Sequence, residues 1–264
     1  MQSKIAIIGG GNLGTAIAEG IIASKYTKAS EIIITKRNPS TLKALEKRGV
    51  AVSTDNNHAV KRANIIILAV KPFQVKDVVE SIKDDITTSH ILVSVVTGIM
   101  ISDIQEVIKK KVALFRAMPN TAIAIRESMT CLSSANASEA QIKMINDIFS
   151  TLGKVVTIEE KLMDAATVLG ACGTAYAMRY IRANIQGGIE IGFDAKTASL
   201  IAAQTVKGAA DLLLQNGSHP EFEIDKVTTP KGCTIAGLNE MEHRGFSSSL
   251  IKGVVASYDK ISKT

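Results

Sequence analysis

Residues 4–8 (KIAII) form a short apolar run that leads straight into Gly9-Gly10-Gly11-Asn12-Leu13-Gly14. This junction constrains the fold more than any other feature of the chain. Gly9, Gly11 and Gly14 hold a GxGxxG spacing, and an amphipathic stretch at 12–24 follows at once. At a strand-to-helix junction of this kind the first glycine makes the tight turn. The second lets the backbone approach a pyrophosphate, and the third lets the helix pack close to the strand. The helix N-terminus then presents unpaired N–H groups to the anion. Alone, the spacing is weak; placed after a strand, before a helix and inside a βαβ unit, it predicts a dinucleotide-binding domain.

The end of the second strand carries the next signal. An acid there would bind a ribose 2′-hydroxyl. The chain instead reads Thr35-Lys36-Arg37-Asn38. Two cations suit a 2′-phosphate, Arg as a planar fork and Lys as a point charge. Lys36 and Arg37 therefore predict NADP as cofactor, with NADPH preferred over NADH.

Strand-like and helix-like stretches alternate through the first half. Strands are expected at 4–8, 31–35, 64–70, 90–96, 112–116, 129–133 and 154–158. Helices are expected at 12–24, 39–48, 72–82, 102–109 and 139–151, with Asn38 and Ser102 as caps. The run NIIILAV at 64–70 has the continuous apolar character of a strand buried on both faces. This pattern predicts an α/β Rossmann-type parallel sheet. Beyond residue 158 only helical periodicity remains, rich in Ala and Gly. The expected division is a dinucleotide-binding domain at 1–158 and an all-helical domain at 159–264.

The remaining composition narrows the alternatives. The net charge is +6, but the 31 basic residues are scattered apart from Lys109, Lys110 and Lys111. With six Phe, four Tyr and no Trp there is little stacking surface for nucleic acid. No stretch reaches the roughly 18 apolar residues that span a bilayer, and no signal peptide precedes the first strand, so a cytoplasmic protein is expected. Cys131, Cys172 and Cys233 fit neither a zinc site nor a redox pair, and the four histidines share no ligand spacing, so no metal is expected. Buried, inert thiols are expected at Cys172 and Cys233, and the lysine run reads as a solvated helix end.

Several segments carry a family resemblance. These are IGGGNLGTAIAEG at 8–20, ILAVKP at 67–72, RAMPNT at 116–121, EEKLMDAATVL at 159–169, AAQTVKGAADLL at 202–213 and VTTPKGCTIAGLNEMEHRGF at 227–246. With them the chain resembles the pyrroline-5-carboxylate reductase family over essentially its whole length. The last segment is the most specific. The resemblance implies NADPH-dependent reduction of 1-pyrroline-5-carboxylate to L-proline, the last step of proline biosynthesis. It also implies a homodimer or higher assembly built through the helical half, which serves dimerisation and substrate binding.

The resemblance assigns roles residue by residue. Ile8, Gly9, Gly10, Gly11, Asn12 and Leu13 would wrap the pyrophosphate, and Asn56, on the loop after a third strand that the family places ahead of 64–70, would meet the adenosine. Ala69, Val70, Lys71 and Pro72 would line the cofactor after the fourth strand, and Val96, Thr97 and Gly98 after the fifth. Asn120 would lie near the nicotinamide. Thr234 would hydrogen-bond the substrate nitrogen, the N–H groups of Cys233 and Thr234 would receive its carboxylate, and Glu160 would be an acidic group at the substrate site. Imine reduction suits this set, because it needs a hydride donor and a polar partner for the nitrogen, not a metal or a covalent nucleophile.

The chain departs from the family pattern at Cys172, Thr174, Ala122, Arg126 and Lys231, the last standing where glycine is usual. Two alternatives stay open. One is a related imine reductase or hydroxy-acid dehydrogenase, although the latter uses a lysine on the helix after the domain break and 170–183 contains none. The other is a non-catalytic nucleotide-binding relative.

Overall fold

The computed structural model describes residues 4–262. The strands are β1 (Ile5–Ile8), β2 (Ile32–Thr35), β3 (Ala51–Ser53), β4 (Ile65–Leu68), β5 (Ile91–Ser94), β6 (Ala113–Met118), β7 (Ser128–Ala135) and β8 (Gly153–Thr157). Between them lie α1 (Asn12–Ala23), α2 (Lys43–Lys47), α3 (Asn56–Lys61), α4 (Val75–Ile82), α5 (Ile101–Ile108) and α6 (Glu139–Ser150). After β8 come α7 (Met163–Ala166), a π-helical segment Thr167–Cys172, and α8 (Gly173–Glu190). The chain continues with α9 (Ala195–Asn216), α10 (Pro220–Val227), α11 (Cys233–His243) and α12 (Phe246–Ser262).

The eight strands form one sheet in the order β3-β2-β1-β4-β5-β6-β7-β8. All neighbours are parallel except β6 and β7, which pair antiparallel. The parallel sheet expected from the sequence therefore ends at β6. Only a 3₁₀ turn (Thr121–Ile125) joins β6 to β7. So short a link can reverse the chain but cannot make a parallel crossover.

β1, β2, β4 and β5 are buried along their whole length. Their alternate residues feed two cores, one on each face. Ile5, Ile7, Ile34, Ile67 and Val93 pack with Ile17, Ile21 and Phe149 of α1 and α6. Ala6, Ile8, Ile66, Leu68 and Leu92 pack with Val79, Ile82 and Ile104 of α4 and α5. This two-sided burial explains why the strands read as unbroken apolar runs.

Three short elements, β3, α3 and α10, have no counterpart among the runs drawn from the sequence: β3 and α3 are too short to establish a period, and α10 buries no residue and so carries no core-facing stripe. The cap expected at Ser102 is displaced: α5 opens at Ile101, with Met100 outside it. The lysine run is not simply solvated. The Lys110 ammonium donates to the carbonyl oxygens of Lys83 and Ile86, both at 2.8 Å, at the C-terminal end of α4. Unpaired carbonyls there favour a cation.

By its internal contacts the chain divides into a unit ending at Cys172, joined by the end of α12 from Lys260, and a unit Gly173–Asp259. The division expected between 158 and 159 followed the last strand, whereas α7 and the π-helical segment keep company with the sheet. The second unit has little core of its own. Among its described residues only Ala198 and Ala202 are buried. Ile191 and Leu200 are 78% and 70% exposed. Tyr176 and Tyr180 serve inside this unit, the first by a 2.6 Å hydrogen bond to Ser257, the second edge-on to Phe246.

Candidate active site

The glycine junction is built around close approaches. Gly9 has φ +115°, and a Cβ there would lie 2.4 Å from the Ala69 carbonyl oxygen on β4's outgoing chain. A Cβ on Gly14 would lie 2.1 Å from the Gly9 oxygen. The N–H groups of Gly9 and Gly10 both donate to the Thr35 carbonyl, at 3.2 and 2.7 Å, which ties the loop to the end of β2. Gly11 is different: a Cβ there would meet nothing within 4 Å. It is the N-cap of α1 and carries no side chain to satisfy the helix N–H groups. Those groups are left for a ligand.

A cleft of about 700 Å³ opens above this loop. It lies where the strand order turns outward from β1 and β4, at the carboxyl ends of the strands, which is where open α/β sheets bind ligands. Ile8, Gly9, Gly10, Gly11, Asn12, Leu13, Lys36, Arg37, Asn56, Ala69, Val70 and Lys71 line it together. Gly14 stands behind the loop and Pro72 opens the neighbouring 3₁₀ turn; neither lines the cleft, and nor do Val96, Thr97, Gly98 or Asn120. Thr35 and Asn38, which flank the basic pair, line it too, as do Thr54, Gln74, Val78 and Val95, which were not singled out in the sequence. Thr35 is the last residue of a strand in register with Ile8.

Several liners are fixed by partners. Thr35 Oγ1 donates to Asn56 Oδ1 at 2.7 Å. Asn56 does not sit on a loop as expected; it opens α3, whose cap is Asp55. Lys36 Nζ donates to Thr41 Oγ1 at 2.7 Å, and Arg37 beside it is exposed. Opposite charge and open access at this corner suit a phosphate. The glycine gap at 11, the uncapped helix start and this basic corner together fit a phosphorylated dinucleotide.

Beyond the cleft, Thr97 Oγ1 approaches Met118 Sδ at 4.0 Å. The Asn120 side chain is committed: its oxygen accepts from the Ala122 N–H at 3.0 Å and its amide donates to the Gly170 carbonyl at 3.2 Å. Glu160 Oε1 accepts from the Ile101 N–H at 2.7 Å and from Arg116 Nη1 at 3.3 Å. Arg116, buried to 1% exposure, was given no role from the sequence; its signals were a charge at the end of a strand run and its place at the head of the RAMPNT segment.

In the second unit, Cys233 and Thr234 open α11. Gly232 caps it, and a Cβ there would lie 2.5 Å from Thr229 Oγ1. Lys231 adopts φ +60°, the left-handed conformation in which glycine costs less. No side chain caps the first N–H groups of α11. Cys233 is exposed, not buried as expected, since nothing in α11 is buried within this chain. Among the described residues no three His, Cys, Asp or Glu side chains gather as metal ligands. None of the described helices is long and apolar enough to cross a membrane.

A doubly wound sheet with a glycine loop and a phosphate-suited cleft at its switch point defines the class of NAD(P)-dependent oxidoreductases. Residues 4–98 match the family model described as NADP oxidoreductase coenzyme F420-dependent. Residues 160–264 match the model described as pyrroline-5-carboxylate reductase dimerisation. The chain is 51% identical to pyrroline-5-carboxylate reductase 1 of Dictyostelium discoideum, over 98% of its own length and 49% of that protein's. It is 46% identical to pyrroline-5-carboxylate reductase 2 of the same organism, over 100% and 93% of the two chains. The chain thus spans about half the first relative and nearly all of the second. A crystal structure of the Plasmodium falciparum pyrroline carboxylate reductase with NADP bound superposes with a TM-score of 0.90 at 26% identity, over 99% of this chain and 98% of that one. The chain belongs to the pyrroline-5-carboxylate reductase family.

Proposed function

We propose that this chain reduces 1-pyrroline-5-carboxylate to L-proline, with NADPH preferred over NADH. The observation that carries the reading is the cleft, in which the uncapped start of α1 and the Lys36–Arg37 corner offer a dinucleotide both of its anionic anchor points. Ile8 to Leu13 would hold the pyrophosphate, Lys36 and Arg37 the 2′-phosphate, and Asn56 the adenosine side. Ala69, Val70, Lys71 and Pro72 belong to the same strand ends, and Val96, Thr97, Gly98 and Asn120 lie toward the nicotinamide. Bound NADPH supplies the hydride. The chain's own task is to orient the imine and to keep its nitrogen hydrogen-bonded. Thr234 would do the second through its hydroxyl, and the free N–H groups of Cys233 and Thr234 would take the carboxylate. Glu160, which the resemblance put at the substrate end, is instead engaged by Arg116 and by the start of α5. A cytoplasmic location belongs to the same proposal; three cysteines without a pairing pattern suit a reducing compartment.

NADPH oxidation followed at 340 nm with the cyclic imine tests this. Turnover faster with NADPH than with NADH is the expected result. Arg37→Asp should lower the NADPH-to-NADH preference by about tenfold or more, since a charge-assisted hydrogen bond is worth roughly 1.5–3 kcal/mol. An unchanged ratio would remove Arg37 from the 2′-phosphate. Hydroxy-acid oxidation without imine turnover would favour the dehydrogenase reading instead.

The second unit is proposed to pair with a second copy. Its exposed apolar residues, including Ile191, Leu200 and Leu214, have no cover in one chain. Light scattering at micromolar concentration should give at least twice the chain mass. A monomer would refute the pairing.

A further inference from the structure

Arg116 is the largest fully buried side chain among the described residues, and it is a cation. It sits on β6 in register between Ser94 and Ser133. A buried guanidinium is costly unless its charge is met. Nη1 donates to Glu160 Oε1 and to Met100 Sδ, at 3.3 and 3.0 Å, and Nη2 lies 3.8 Å from Asp164 Oδ1. Nε and Nη2 have no hydrogen-bond partner. The arginine is therefore held by two carboxylates from one short segment, the 3₁₀ turn Glu160–Leu162 and α7.

The same Glu160 oxygen accepts from Ile101 N–H, the first amide of α5, 59 positions earlier in the chain. Helix starts need acceptors for such amides, and a local side chain usually supplies them. Here the neighbouring carboxylate, Asp103, is turned onto Met100 N–H at 2.8 Å. The residues ahead of α5 are thus tied at Thr97 to Met118, at Met100 to Arg116, and at Ile101 to Glu160.

We infer that Glu160 is a positioning residue, not a proton-transferring one. Held by the buried Arg116, it fixes the start of α5 and with it the 96–100 loop at the carboxyl end of β5. This rests on the reading that residues 96–98 line the nicotinamide end. Glu160 acts through its Oε1 as an acceptor, so a side chain that keeps an acceptor oxygen there keeps the function. Arg116 acts one step further out, by holding that oxygen in place.

Four variants of the full chain test this, read by steady-state kinetics, NADPH titration and amide exchange over 98–103. Glu160→Ala and Arg116→Met should lower kcat by about tenfold or more, as expected when a reacting geometry is displaced. NADPH affinity should stay within about threefold, because the charge-assisted contacts to the phosphates that dominate binding are untouched. Exchange at Ile101 should quicken by about tenfold or more in both, since its amide loses its partner. Glu160→Gln keeps the acceptor and should hold kcat within about threefold, with exchange still slow. Arg116→Lys keeps the charge without the fork and should fall between. If the Ala or Met variant fails to fold, the Gln and Lys variants decide alone. A Gln variant as inactive as the Ala variant, with slow exchange, would overturn the inference in favour of proton transfer. Wild-type kcat and exchange in the Ala variant, or in the Lys variant where Ala does not fold, would overturn it as well. Wild-type protein that turns over no imine would sink the functional reading instead; the exchange data would still decide whether Glu160 fixes the loop.

Discussion

Gly11→Ala is expected to leave the fold intact and to weaken NADPH binding by roughly a hundredfold, the loss of one or two charge-assisted hydrogen bonds to phosphate. The new methyl would meet no protein atom within 4 Å. Alanine is a poorer N-cap than glycine, so a stability loss of at most about 1 kcal/mol is expected. Space open on the protein side is the space a pyrophosphate must enter to reach the N–H groups of α1. Gly14→Ala should behave differently. Its methyl would lie 2.1 Å from the Gly9 oxygen, a backbone atom that cannot swing aside. Helix α1 or the loop must move, at a cost of about 3 kcal/mol, the upper end for forced overpacking. In a chain of this size each kcal/mol lowers Tm by about 2–4 °C. Thermal unfolding and a fluorescence titration with NADPH separate the two variants. Normal binding by Gly11→Ala would take the pyrophosphate away from this loop. An unchanged Tm for Gly14→Ala would show that the helix yields freely.

Thr234→Ala carries the second large effect. Thr234 lies in the first turn of α11, half-exposed, behind the Gly232 cap. A hydroxyl bonded to a charged imine nitrogen is worth about 1.5–3 kcal/mol, or roughly tenfold to a hundredfold in rate. The loss should fall on kcat with the imine as substrate. NADPH affinity should not change, because the cleft's liners all belong to the first unit and none is Thr234. Lost cofactor affinity would place Thr234 elsewhere. A Ser variant, which keeps the hydroxyl, should retain most of the activity.

What the sequence could show was local. The glycine junction was legible because each of its glycines answers a constraint of its own turn, and the contacts at Gly9 and Gly14 are those constraints in atoms. The buried strands were legible because burial on both faces leaves continuous apolar runs. The basic corner at Lys36 and Arg37 needed only the end of β2 to be located. The family was legible because 227–246 holds a long specific motif. β3 and α3 were not, being too short to show a period, and α10 was not, having no buried stripe.

Tertiary structure alone decided how distant pieces serve one another. The true acceptor for the start of α5 is Glu160, 59 positions away, while Ser102 offered a plausible local cap that the chain does not use. Lys110 closes the end of α4 from 24 to 27 positions further along the chain, and nothing in a run of three lysines distinguishes it from its neighbours. The reversal of β7 depends on a 3₁₀ turn whose geometry no hydrophobic pattern records. Periodicity and glycine spacing report what a segment needs from its own backbone. A cap or a buried ion pair is settled only when folding brings a donor and an acceptor together, and sequence separation says nothing of that distance.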